Sequence, residues 1–284
     1  MSNTPVRKRR RRRRKQQPWV PLAAGFGLVA ALVLAIVGLE SALAPEETEP
    51  TYTEPPTVQT LPTNPYSAED FTYDENGYLT CRSSETRLGI DVSDHQKEID
   101  WARVAEAGIE FAIVRIGYRG YSEGGIYPDE AAPENIKGAQ AQGLDAGVYF
   151  YSQAISPAEA REEAEFCLEF LEEYDIQLPL VYDWEYVSAE ARTGAMDAGT
   201  LTDCAIAFCE TVRAGGYEPM IYANPDLARN LLDLSRLQGY PFWLALYSDQ
   251  MDYPWRLDYW QYTATGSVPG IQGDVDLNLQ FMPG

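Results

Sequence analysis

The chain has 284 residues, 45% of them hydrophobic, enough for one sizeable core with accessory segments around it. Its 43 acids outnumber its 22 Lys and Arg, giving a formal net charge of −21, and nine of those basic residues form one unbroken run, Arg7 to Lys15. From Ser41 onward 13 basic residues face 42 acids, a balance that argues against a nucleic-acid partner, whose phosphates require a cationic surface.

Residues 1–17 read as a basic cytoplasmic tail. The 21 residues from Trp19 to Leu39 carry no charge and match the length that crosses a hydrocarbon core. Residues 18–39 are therefore expected to form a transmembrane helix, with the basic run inside and the C-terminal domain outside the cell membrane, a single-pass arrangement. Secretion after cleavage at Ala42-Leu43-Ala44 is the alternative, opposed by Pro45 directly behind the site and by an apolar stretch longer than a signal-peptide core. Residues 40–70, rich in Pro, Thr and Glu, cannot bury a core and read as a disordered, extended linker.

A globular domain is expected over 71–284. Phe71-Thr72-Tyr73 and Tyr78-Leu79-Thr80 flank Asp74-Glu75-Asn76-Gly77, a hairpin signal. Strand candidates follow at Leu88–Val92, Phe111–Gly117, Ala146–Tyr151, Leu180–Trp184, Met220–Ala223, Phe242–Leu246, Tyr259–Tyr262 and Val275–Leu279. Between them lie helical patterns. Ser156-Pro157-Ala158-Glu159 supplies an N-cap, a first-turn proline and a capping-box glutamate, and an apolar stripe from Leu201 to Val212 stops at Gly215-Gly216. Strands alternating with helices in this way indicate an α/β fold, an irregular (β/α) TIM-like barrel whose later connections are too short for full helices. Cys167, Cys204 and Cys209 fall in helical patterns as free buried thiols, and one histidine without a C-x-x-C pair leaves no zinc set. No metal and no cofactor are expected.

The residues most suggestive of chemistry are in Tyr182-Asp183-Trp184-Glu185. Residues i and i+2 of a strand share a face, so Asp183 and Glu185 point together into the mouth of a barrel, and Trp184 points away. Two carboxyls in a partly dry cleft cannot ionise equally, and glycoside hydrolysis needs one protonated and one charged. Asp91 ends the first barrel strand at the same mouth. The last strand offers Asp276 or, on the same face, Asp274, and the pattern does not choose between them. Aromatic residues gather at the strand ends, among them Tyr149, Tyr222 and Trp260, and suit the apolar faces of sugar rings. His95 sits in a polar turn, and no nucleophile-elbow motif accompanies it.

Several ordered motifs together resemble glycoside hydrolase family 25, the Chalaropsis-type lysozymes. They are Gly89-Ile90-Asp91-Val92-Ser93 with His95-Gln96, Phe111 to Gly117, Gly147 to Tyr151, Asp183-Trp184-Glu185, Ile221 to Asn224, and Trp260-Gln261-Tyr262-Thr263 through to Val275-Asp276-Leu277-Asn278. The resemblance spans about 87–281. It implies an N-acetylmuramidase that cleaves the β-1,4 bond between N-acetylmuramic acid and N-acetylglucosamine, with peptidoglycan glycan strands as partner. Glu185 would be the general acid and Asp183 its partner, with Asp91 and Asp276 completing an acidic floor. Whether Asp183 attacks the sugar or assists the substrate's own acetamido group stays open. Ser152 stands where the family often has a histidine or aromatic. A non-catalytic wall-binding protein on the same barrel is the competing reading, and a glycosidase for another polymer is the third.

Overall fold

The computed structural model describes residues 61–283. The expected basic tail, the transmembrane helix and the linker as far as residue 60 lie outside the described residues. Among the described residues, no helix is long and apolar enough to cross a membrane.

The domain begins earlier than composition suggests. Residues 61–70, counted with the linker in the sequence reading, pack onto it. Thr63 bridges to Trp255, the Asn64 amide donates to the Tyr253 carbonyl at 2.8 Å, and Tyr66 stacks on Phe281 with ring centroids 4.4 Å apart. Three anchors, one bridge, one amide and one ring, are enough to fix a stretch whose overall composition still reads as spacer. The hairpin follows as β1 (Phe71–Tyr73) and β2 (Leu79–Cys81). Its turn closes because the Asp74 carboxylate accepts the N–H groups of Asn76 and Tyr78, and because Gly77 takes φ +83.

All eight expected barrel strands are present. In chain order the elements are β3 (Thr86–Val92), α1 (Trp101–Glu106), β4 (Phe111–Arg119), β5 (Ile126–Pro128), α2 (Ala132–Ala141), β6 (Asp145–Ser152), α3 (Pro157–Phe170), β7 (Leu180–Trp184), α4 (Ala198–Ala214) and β8 (Pro219–Ala223). After them come the single-turn α5 (Leu234–Leu237), β9 (Phe242–Ala245), β10 (Tyr259–Gly266) and β11 (Val275–Phe281), with no described helix in the last two connections. The strands pair in the order β3-β4-β6-β7-β8-β9-β10-β11 and close through β11 onto β3, while β5 adds a short antiparallel edge to the end of β4. The helix ends obey their sequence signals. Ser156 accepts from the Glu159 N–H at the start of α3, and α4 ends at Gly215, followed by Gly216 at φ +90. Cys167, Cys204 and Cys209 are buried free thiols on α3 and α4.

One departure from simple β/α alternation decides where the chemistry can sit. Seven strands run parallel, but β11 is antiparallel to both β10 and β3. The start of β11 therefore lies beside the C-terminal ends of the others, and Asp276 is registered directly against Asp91. In a parallel eighth strand the same residue would lie at the opposite end of the barrel.

Strand alternation separates two cores. Phe111, Ile113, Val181, Met220, Trp243 and Tyr259 fill the barrel, whereas Tyr182, Trp184 and Trp260 face the surrounding layer. The barrel floor is tight. Phe111 meets Tyr259 edge-on at 5.7 Å, and a Cβ at Gly89 would be driven into the Phe111 ring. Gly89→Ala should therefore destabilise the fold by about 1–3 kcal/mol, as expected for overpacking. Urea unfolding measures this, and pairing the change with Phe111→Leu should recover most of the loss.

Candidate active site

Each acidic residue reaches the barrel mouth by strand parity. Asp91 is on β3, two residues beyond Gly89, and Asp183 is on β7, two beyond Val181. Glu185 continues that face just past the end of β7, and Asp276 opens β11. Asp91 and Asp183 are each only 6% exposed, whereas Asp274 is exposed and precedes the strand. The structure thus resolves the choice at the last strand in favour of Asp276.

Asp91 is held by a relay of carboxamides. Its Oδ2 accepts from Gln261 Nε2 and from Asn278 Nδ2, both at 2.8 Å. Each amide is oriented in turn by donors on its own oxygen. Trp243 Nε1–H donates to Asn278 Oδ1 at 2.9 Å, and the hydroxyls of Tyr222 and Tyr247 donate to Gln261 Oε1 at 3.0 and 3.1 Å. Two N–H donors favour the charged carboxylate on Asp91 and offset the cost of its burial, although burial still leaves it above the ordinary carboxylate range. Its neighbour Asp276 has no such donors. Burial first, and the adjacent Asp91 charge second, push Asp276 up to about 8. We therefore assign the proton shared by this pair to Asp276.

Asp183 is held well above the ordinary range, by burial first and then by the charges of Glu185 and Asp91, with Arg115 pulling the other way. Its Oδ1 is buried and has no protein donor. Glu185 is more accessible. Burial raises it and Asp276 adds to that, with the nearby Tyr222 hydroxyl pulling the other way. Tyr149 and Tyr151 belong to the same constellation. Both are raised by burial, Tyr149 next by Asp91 and Tyr151 next by Glu185, so both stand as neutral hydroxyl donors.

A cavity of about 700 Å³ opens beside this cluster, lined in part by Arg115, Tyr118, Tyr127 and Tyr151. Tyr118 stacks on Tyr127 with centroids 5.4 Å apart, and the Arg115 guanidinium lies over Tyr118. Arg115 is itself fixed by Asp129 at 2.8 Å and Asp94 at 2.6 Å. His95 is exposed on the rim, 3.6 Å from Asp94, away from any nucleophile.

The model of Glycosyl hydrolases family 25 matches residues 90–271, which include Asp91, Asp183 and Glu185. The chain belongs to this family. Protein YegX of Escherichia coli K12, described as uncharacterised, is 29% identical over 216 residues, covering 72% of this chain and 75% of its own. The lysozyme of Lactococcus phage mv1 is 29% identical over 168 residues, 56% of this chain and 78% of that one. Among solved structures, the modular autolysin LytC of Streptococcus pneumoniae, also solved in complex with a synthetic peptidoglycan ligand, has a TM-score of 0.64 at 24% identity. That match covers 78% of this chain and 52% of LytC, so this chain spans about half of that protein's length. The chain is thus a family 25 glycoside hydrolase with the barrel the sequence led us to expect.

Six of the seven residues singled out from the sequence converge on the mouth, and one does not. Trp260 is fully buried on the outer face of β10, its ring edge-on to Phe71 at 4.8 Å and its indole N–H donated to the Leu246 carbonyl at 2.8 Å. Parity is the reason: Trp260 alternates with Tyr259 and Gln261, which face inward. The sequence reading passed over Gln261, Asn278 and Arg115. The signal for the two amides was present in strand parity, since Gln261 shares the face of Tyr259 and Asn278 that of Asp276, and a polar side chain buried there demands a partner.

The Asp276 proton has a stability signature. An unfolded aspartate releases it near its usual value of 3.8, but the folded chain holds it to about 8. Between those limits the native state binds more protons than the unfolded state, so stability falls as pH rises. Asp276→Asn in this family 25 domain should therefore melt several degrees above wild type at pH 8 and close to it at pH 4, measured by scanning calorimetry. A difference that does not change with pH would refute the assignment.

Proposed function

We propose that this protein is a membrane-anchored peptidoglycan hydrolase, an N-acetylmuramidase cutting the β-1,4 bond between N-acetylmuramic acid and N-acetylglucosamine. The observation that carries the reading is the gathering of Asp91, Asp183, Glu185 and Asp276 in one desolvated mouth, bordered by Tyr149 and Tyr222. It is supported by the phage enzyme's name and by the peptidoglycan ligand crystallised with LytC.

In this reading Glu185 is the general acid, and the distribution of protons follows from desolvation. In the free cleft Asp183 lacks a donor for Oδ1 and keeps its proton. A substrate acetamido N–H placed on Oδ1 stabilises the charged form of Asp183 and leaves the proton of the pair on Glu185. Glu185 then protonates the glycosidic oxygen as the bond from C1 to that oxygen breaks. The acetamido carbonyl oxygen forms the new bond to C1, giving an oxazolinium whose N–H is held by charged Asp183. Water next attacks C1 and reopens that ring, passing its proton to the Glu185 carboxylate, and the configuration at C1 is retained. Asp183 acts here as helper. Its unpaired Oδ1 favours that role over direct attack, because the carboxyl becomes charged only when that oxygen accepts the acetamido N–H. Asp91, with Asp276 as proton carrier, keeps negative charge on the floor beneath the developing cation. The tyrosine-lined cavity supplies ring faces for further sugars along the strand.

Glu185→Gln should lower turnover of purified peptidoglycan about 10²–10⁴-fold, the usual worth of a general acid. Fragments released by the wild-type ectodomain should carry muramic acid at the new reducing end. Glucosamine at that end, or undiminished turnover by the variant, would defeat the proposal, and binding to peptidoglycan without cleavage would favour a wall-binding role.

Anchoring rests on the uncharged stretch Trp19 to Leu39 behind the basic run. The full chain should stay with membranes through a carbonate wash, and deletion of residues 1–39 should release it. Recovery of the full-length chain in the wash would contradict the anchor.

A further inference from the structure

Glu185 lies one residue beyond the end of β7, so no strand ladder fixes its backbone. What holds it is a side chain from the neighbouring strand end. Gln153, fully buried just past β6, donates from Nε2 to the Glu185 carbonyl at 2.8 Å and to the Ser152 carbonyl at 2.9 Å. Its Oε1 accepts from the Thr193 hydroxyl at 2.8 Å, and Thr193 is itself 1% exposed. The chain that leaves Glu185 thus returns eight residues later to grip the amide that grips Glu185.

A second tie fastens the same loop. Arg192 donates to the Gln153 backbone carbonyl at 2.7 Å and makes a two-pronged pair with Glu159 of α3, both contacts 2.7 Å. Its own N–H donates to the Tyr121 carbonyl at 2.9 Å, joining the loop to the turn between β4 and β5. Glu159 also accepts from the Ile155 N–H at 3.0 Å, so this capping glutamate serves helix and loop together.

We infer that Gln153 and Thr193 are positioning residues for the general acid, closing the loop after β7 so that Glu185 is presented in its desolvated place over the cleft. The inference rests on the proposed role of Glu185. An amide is suited to this task because both its ends are engaged: the N–H end sets the Glu185 backbone, and the oxygen end prevents the amide from turning over. Thr193→Val keeps the shape of residue 193 and removes only the donor.

The test uses the soluble ectodomain and peptidoglycan glycan strands, comparing Thr193→Val, Thr193→Ser, Gln153→Met and Glu185→Gln. Thr193→Val should lower kcat about tenfold with KM within twofold and the melting temperature within a few degrees. Its basic pH limb should move to lower pH, because a loosened Glu185 meets more water and gives up its proton more readily. Thr193→Ser, which keeps the hydroxyl, should restore both kcat and the limb. Gln153→Met should show the same limb shift with a larger loss of kcat. If Glu185→Gln is inactive but Thr193→Val retains wild-type kcat and pH limb, the positioning role is wrong and the acid assignment stands. A loss in Thr193→Val that Thr193→Ser shares, or that leaves the limb in place, would make the role merely structural and overturn the inference. Full activity of Glu185→Gln would overturn the acid assignment and the inference with it.

Discussion

Carboxyl groups crowded into a dry cleft cannot all be charged, and the organisation of this barrel follows from that constraint. Each of the four must be neutral, paired or supplied with donors. Asp91 receives two amide N–H groups, Asp276 takes the proton that Asp91 does not need, and Asp183 and Glu185 divide what remains. The different environments of these acids set them apart for different tasks, which chemically similar groups in water could not achieve. The cost falls on stability, because desolvated carboxyls weaken the fold as pH rises.

The backbone makes this crowding possible by one irregularity. Reversal of β11 places the start of that strand at the mouth and registers Asp276 against Asp91, and the same strand delivers Asn278 as the donor to Asp91. The reversal is compatible with the short connections near the C-terminus, since an antiparallel neighbour needs no crossover helix. The aromatic residues beneath then act as a plug. Phe111, Tyr259 and Trp243 fill the barrel, and Trp243 also orients Asn278, so packing below and charge above are linked through one hydrogen bond.

Much of this was legible in the sequence. The strands carry period-2 patterns and the helices clear caps, so all eight barrel strands and the placement of Asp91, Asp183 and Glu185 could be read. Trp260 was misplaced because aromatic content was given more weight than strand parity. Gln261 and Asn278 were overlooked because neutral amides do not look like chemistry until the carboxylate they serve is in place. The direction of β11 could not be read at all: alternation is the same in either direction, and only long-range pairing distinguishes them. The early start of the domain was hidden because its anchors, Thr63, Asn64 and Tyr66, sit within spacer-like composition.

The central claim is that the mouth holds protons which ordinary carboxyls would release. It is tested most directly by carbon-13 NMR titration of the barrel domain labelled at aspartate and glutamate side-chain carboxyls, with Asp276→Asn and Glu185→Gln to assign the resonances. The account predicts a carboxyl assigned to Asp276 that titrates at about 8, with Asp183 and Glu185 also above the ordinary range. If every carboxyl, these included, titrates between about 3 and 5, as groups in water do, the claim is contradicted.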